Sequence, residues 1–315
     1  MKPTILMLGC IALGGCAVAA HGTDGTFGDG GAGNPALGGG SSSSSDSPVI
    51  YAHSDSELYT FDPSSKTITD VGAFDDGSGN APAITDLAVN GNGDVWVNSE
   101  TAIYRATLPS SPGPVALSLV AHIAVGSGQL FYALGFAPAG VLGTQETLVA
   151  GDNHGVLYAV ETSGQTTQLG SFGSSSTGDT YELSGDILFY EQNGAVRGLA
   201  TVRSCYKGTC GGSNDILAEI DVAAMSSAYQ AKSPAATLKK QFLGKGTGFG
   251  RLFGIGAWND AVYAFSRSSG STPAQLISID SAGNGTVVQS FGQISAGWSG
   301  AGVTTKAPVT VLPPN

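Results

Sequence analysis

Leu276-Ile277-Ser278-Ile279-Asp280 is a short apolar run that ends on an acid. The same shape recurs as Leu58-Tyr59-Thr60-Phe61-Asp62, Leu157-Tyr158-Ala159-Val160-Glu161 and Leu217-Ala218-Glu219-Ile220-Asp221, with a looser copy at Ile103-Tyr104-Arg105-Ala106-Thr107. Their first residues stand 45, 54, 60 and 59 positions apart in chain order. A recurrence of about 40–50 residues or slightly more, made only of strand-like pieces, is the signature of propeller blades rather than of helical arrays.

Working outward, each pentad reads as the third strand of a blade. Alternating apolar stretches precede it at residues 49–52, 95–97, 148–150 and 262–265, and at 195–202 in the unit that is hardest to read. Fourth strands come after it at 67–74, 116–123, 166–172, 236–242 and 286–291. Period-two alternation of this kind marks half-buried strands. Inner strands align at 84–88, 131–135, 181–184 and 252–256, with Ala88, Gly135, Ser184 and Gly256 at a shared small position, as strands converging on an axis require.

The first unit has no inner strand before Val49, and the C-terminus supplies a spare one at 298–303. The expected fold is therefore all-β: a propeller of five four-stranded blades over residues 48–305, in which the C-terminal strand completes the first blade. Six blades is the alternative count, because Leu183 to Phe242 is long enough to hide strands. Residues 222–240 read as a long loop plus a strand, since Ser226, Ser227, Ser233 and Pro234 interrupt them. Residues 306–315 read as a C-terminal tail.

The chain has 315 residues, 48 of them glycine, and only 12% charged residues, which suits short strands joined by tight turns. Its net charge of −11 argues against a nucleic-acid partner, which needs a basic surface, and against electrostatic docking on anionic lipid. Lys2 followed by an apolar run over residues 5–13 reads as an export signal, residues 1–15. Leu13-Gly14-Gly15-Cys16 resembles the lipobox of bacterial lipoproteins. That resemblance implies cleavage before Cys16, lipidation of its thiol with palmitate-class acyl chains, and a cell-envelope address, with Ala17 compatible with the outer membrane. After Cys16, residues 17–47 are rich in Gly, Ser, Ala and Asp and read as a flexible tether with a mean reach of about 30 Å. Cys205 and Cys210, an even pair in an exported chain, are expected to form a disulfide.

Ligands of propellers meet the face made by the loops between second and third strands and between one blade and the next. Here those loops carry His53, Asp55, Asp76, Glu100, Asp152, His154, Arg251 and Arg267. The candidate binding face is His53, Asp76, Glu100, Asp152, His154 and Arg251, with Trp298 near the axis. Asp86 and Glu182 occupy equivalent places in the inner-strand alignment and are candidate metal ligands, since paired carboxylates suit calcium. The strand-turn-strand repeats over residues 48–305 resemble NHL-like and sugar-lactonase-like propellers. In the lactonases that resemblance implies an axial calcium ion held by Glu, Asn and Asp, of which this chain matches only the two acids.

Other motifs fail on context. Gly244-Lys245-Gly246-Thr247-Gly248 is followed by a strand, not the helix of a phosphate loop. Gly297-Trp298-Ser299-Gly300-Ala301 lacks both the final glycine and the βα unit of a nucleophile elbow. Asn92-Gly93 reads as a hairpin turn. The expected protein is a monomeric, lipid-anchored binding or scaffold propeller with a protein or glycan partner. A calcium-dependent lactonase-like hydrolase and an envelope-polymer binder are the alternatives.

Overall fold

Each pentad is the third strand of a blade in the computed structural model, which describes residues 49–124, 126–211, 214–269, 272–292 and 297–310. The signal run, Cys16 and the tether at 17–47 lie outside the described residues.

Among the described residues five four-stranded antiparallel blades succeed one another; the first two join through their outer strands into one eight-stranded sheet, and the fourth carries an extra two-residue strand, Thr209–Cys210. Blade 2 runs from the axis outward as Asp86–Val89, Val95–Asn98, Ala102–Thr107 and Val115–His122. Blade 3 is Phe131–Ala137, Thr147–Asp152, Val156–Val160 and Thr166–Ser171. Blade 4 is Thr180–Gln192, Ala195–Tyr206, Ile216–Ile220 and Lys239–Leu243. Blade 5 is Leu252–Trp258, Ala261–Ser266, Ala274–Ile279 and Gly285–Phe291. Blade 1 takes Ile50–His53, Glu57–Asp62 and Thr67–Asp75 from the N-terminal end, and its inner strand, Gly300–Gly302, from the other. Ala52 pairs with Ala301 and His53 with Gly300, so the ring closes as the spare strand predicted.

The acid that ends the pentad shapes the turn after it. Asp280 accepts the N–H groups of Ala282 and Asn284 (both 2.9 Å), and Asp62 those of Ser64 (2.8 Å) and Ser65 (3.4 Å). Each thereby turns the chain back into its fourth strand. Asp221 does something different: its carboxylate accepts from Ala224 N at 2.9 Å and caps a helix, Val222–Ala231. The expected loop is therefore α-helical. Alanines supply the propensity, Ser227 faces solvent, Met225 and Ala228 are buried, and Lys232 ends the helix in the left-handed region before Pro234 is reached.

The core consists of apolar layers trapped between neighbouring blades. At the closing seam Trp298 is fully buried and makes edge-on contacts with Tyr59, Phe265 and Phe291, at centroid distances of 5.3 to 5.4 Å. Blades 1 and 2 also touch through their outer strands, Phe74 pairing with Val115 in parallel. Gly72 permits that approach: its φ is +145°, and a Cβ there would collide with the Gly113 carbonyl, beside which Gly113 N donates to Val71 O at 2.9 Å. The expected tail is not loose over its described part. Ala307 and Val309 are buried, and Asn259 N donates to Pro308 O while Thr310 N donates to Asn259 O, which clasps residues 306–310 to blade 5.

Candidate site at the axial mouth

One end of the axis opens into a cavity of about 280 Å³. Its walls come from the loops between second and third strands (Asp55, Glu100, Arg267) and from residues that open the inner strands (Thr85, Tyr132, Phe253, Ser299). Asp55 is set by its neighbours: Ser54 Oγ accepts Glu57 N at 3.0 Å, and Asp55 O accepts Ile84 N at 3.0 Å. Arg267 grips the Asp55 carboxylate with both terminal nitrogens, at 2.7 and 2.6 Å, and also donates to Ser299 Oγ at 2.9 Å. Ser299 Oγ donates in turn to Asp55. Burial alone would raise the Asp55 pKa. Hydrogen bonds from Arg267 and Ser299 and the guanidinium charge outweigh it and hold the carboxyl below its ordinary value. Across the cavity Tyr132 Oη donates to Glu100 at 3.4 Å, and burial, then the Glu100 charge, raises the phenol pKa.

One residue further along the inner strands lie two fully buried carboxyls, Asp86 and Asp186. Innermost strands present an unpaired edge to the axis, and its N–H groups need acceptors. Asp86 accepts from Leu87 N (2.8 Å) and from Leu134 N of blade 3 (2.7 Å). Asp186 accepts from Ile187 N and from Ile255 N of blade 5, both at 2.5 Å. The two carboxyls lie close enough to act on each other electrostatically. Burial, reinforced at Asp86 by the facing carboxylate, pushes both well above the usual carboxylate range. Asp215 repeats the device between blades 4 and 5, accepting from Ser184 Oγ (2.5 Å) and Leu252 N (2.8 Å).

Asp86 thus has a counterpart, but it is Asp186 and not Glu182. The inner strand of blade 4 slips register between Leu183 and Ile187, where two extra residues stand against its partner strand, and the acid that matches Asp86 lies four residues beyond Glu182. Glu182 lies instead against the disulfide, with a carboxylate oxygen 3.3 Å from Cys210 Sγ. A calcium site made of Asp86 and Glu182 does not fit this arrangement. The Asp86-Leu87 and Asp186-Ile187 dipeptides, each entering an apolar strand, were the available sequence signal.

The candidate face is only partly assembled. Glu100 lines the cavity. Arg251 stands beside it, its guanidinium 5.8 Å from the Phe253 ring and its carbonyl accepting from Arg267 N. Asp76 caps an exposed turn through Ser78, and Asp152 organises the turn bearing exposed His154 by accepting His154 N and Val156 N, both at 2.9 Å. Trp298 is seam packing, out of reach of any ligand in solvent. His53 is also fully buried: it is the last residue of a strand rather than part of a loop. Its Nδ1–H donates to Ser54 O at 2.6 Å, and burial drives its pKa down to about 4. The ring is therefore neutral with its lone pair on Nε2, an atom that has no hydrogen-bond partner among the described residues. The disulfide forms as expected, as a cross-strand pair, leaving Tyr206 exposed at the hairpin tip.

No protein-family model and no curated protein matches the chain. Among solved structures it is similar to a protein of unknown function from Bacteroides caccae, at 11% identity over 81% of this chain and 98% of that one, with a TM-score of 0.43. It is also similar to a chain of a nidogen/laminin complex, at 10% identity over 82% and 99%, TM-score 0.43, and to the Dos1 propeller, at 13% identity over 82% and 70%, TM-score 0.35. The five-bladed fold rests on this chain's own strand pairing.

Proposed function

We propose that this propeller is a lipid-anchored binding module of the bacterial cell envelope that recognises a small polyhydroxylated group, such as a glycan end, at its axial mouth without transforming it. The observation that carries the reading is the Asp55–Arg267–Ser299 cluster on the cavity wall. It offers charged acceptors and donors side by side, which is what a pair of neighbouring hydroxyls needs. Phe253 and Tyr132 add ring surfaces, and Thr85 adds a hydroxyl. Asp55 is a weak base because its pKa is held down, so the cluster suits recognition better than proton abstraction. The anchor reading rests on Leu13-Gly14-Gly15-Cys16 and the tether beyond it.

Retention on immobilised envelope polysaccharides, compared between wild type and Arg267→Ala, tests the site. Loss in the variant is expected, and equal retention rejects the mouth as the site. Incorporation of a clickable palmitate analogue into wild type but not into Cys16→Ala tests the anchor.

A further inference from the structure

We propose, on the reading that the mouth is the binding site, that its ligand is anionic: a sugar carrying one carboxylate or phosphate, whose oxyanion is held by Arg203 and Arg251 on the blade 4 and blade 5 side of the cavity. A count of arginines carries this. All five in the chain lie among the described residues. Arg105, Arg197 and Arg267 are ion-paired, with Asp94, Glu219 and Asp55. Neither Arg203 nor Arg251 has an ion pair or a side-chain hydrogen bond among the described residues, and both stand beside the mouth.

Arg203 stands opposite Glu182 in the pairing of blade 4, two residues short of Ser184 on the cavity wall. Neither nearby acid takes it up. Glu182 lies against Cys210 Sγ, and Asp215 accepts from Ser184 Oγ and Leu252 N. The Arg203 charge still reaches the Asp215 carboxyl and the Tyr132 phenol and lowers the pKa of each. Its Nε is shielded from solvent without a partner. A guanidinium half removed from water with no counter-charge lacks an acceptor, which an oxyanion supplies in matching fork geometry. Arg251 opens the inner strand of blade 5 with φ at +59°, a left-handed conformation that favours glycine. A chain with 48 glycines keeps an arginine there. Its guanidinium stands 5.8 Å from the ring centre of Phe253, which lines the cavity. Of the acids on the cavity wall, Asp55 is matched by Arg267, and Glu100 by itself does not offset two guanidiniums. Hydroxyls of the sugar then meet the Asp55–Arg267–Ser299 cluster.

Calorimetric titration of the full-length protein at neutral pH tests this with matched probes: D-glucuronate, D-galacturonate and D-mannuronate, the neutral hexose of each, and the 6-phosphates of those hexoses. In at least one set the anion is expected to bind about tenfold or more tighter than the neutral sugar, by a margin that shrinks with added NaCl. Arg203→Gln and Arg251→Gln should each bring that ratio toward one. Preference for the phosphates assigns the oxyanion to phosphate, and preference for the uronates assigns it to carboxylate. An anion preference that both variants leave intact overturns the proposal. Equal binding of neutral and anionic sugars, lost in Arg267→Ala, also overturns it and keeps the mouth as the site. Equal binding that Arg267→Ala leaves intact rejects both. Binding of no probe overturns the proposal, and polysaccharide retention by wild type but not by Arg267→Ala then decides the mouth separately. Tighter binding of N-acetylglycine, a carboxylate without hydroxyls, than of any anionic sugar indicates a peptide end and overturns it too. Should Arg203→Gln fail to fold by circular dichroism, Arg251→Gln decides.

Discussion

Arg267 of blade 5 and Asp55 of blade 1 form a two-pronged ion pair across 212 residues of sequence, at 2.6 and 2.7 Å. The pair lies at the seam where the ring closes, so it both shapes the mouth and reinforces the strand pairing beside it. Its exposure, 39% for Asp55 and 25% for Arg267, keeps its contribution small. Arg267→Ala is expected to destabilise the fold by about 1 kcal/mol, measured by urea unfolding at neutral pH.

Acid should remove that contribution. Asp55 has a folded pKa below its unfolded value, so its stabilisation is complete above about pH 4, the ordinary carboxylate range. It is lost as pH falls through the lowered folded value. Glu219 behaves alike: burial alone would raise it, but hydrogen bonds from Lys240 and Gln241 and the Arg197 charge outweigh burial and lower it. Glu219→Gln should cost about 2 kcal/mol near pH 7. The melting-temperature gap from wild type should narrow toward zero on titration to pH 2. A gap that persists there would mean the carboxylate acts through packing alone.

Trp298→Ala should cost about 4 kcal/mol by emptying the closing seam. Trp298→Phe should cost much less, because the indole Nε1–H has no hydrogen-bond partner among the described residues and an aromatic ring is kept. Chemical denaturation of the two variants checks this. A Phe variant as unstable as the Ala variant would show that ring shape, not aromatic filling, holds the seam.

Gly300→Ala introduces a methyl group where Asp86 and His53 converge. Overpacking there is expected to cost about 2 kcal/mol and to raise hydrogen exchange at Ala301, the residue paired with Ala52. Unchanged exchange would show that the axis has slack.

Much of the fold could be read from the sequence because each blade repeats a local pattern. A pentad that ends on a turn-forming acid is legible in one pass, and the spare strand containing Gly300 and Ala301 shows closure by arithmetic. The site was less legible for three physical reasons. Asp55 and Arg267 meet only through the ring, and nothing local marks either as half of a pair. Asp186 was masked by the slipped register after Leu183, so Glu182 took its place in the alignment. His53 looked like a loop residue and is a strand end packed inside the body. Ser226 and Ser227 concealed a helix because their polarity reads as a break, although one is half-buried and the other faces water.

The borrowed inner strand of blade 1 also sets an order of events. Ile50–His53 emerges early from a ribosome, and its partner Gly300–Gly302 is the last of the ring's described strands to follow. Until then one edge of the first blade has no mate, and contacts of such long sequence separation form late. A chain cut short by a premature stop would keep that edge open permanently and expose it to proteases. Closure therefore depends on synthesis through residue 302: only a polypeptide that includes Gly300–Gly302 can lock the ring.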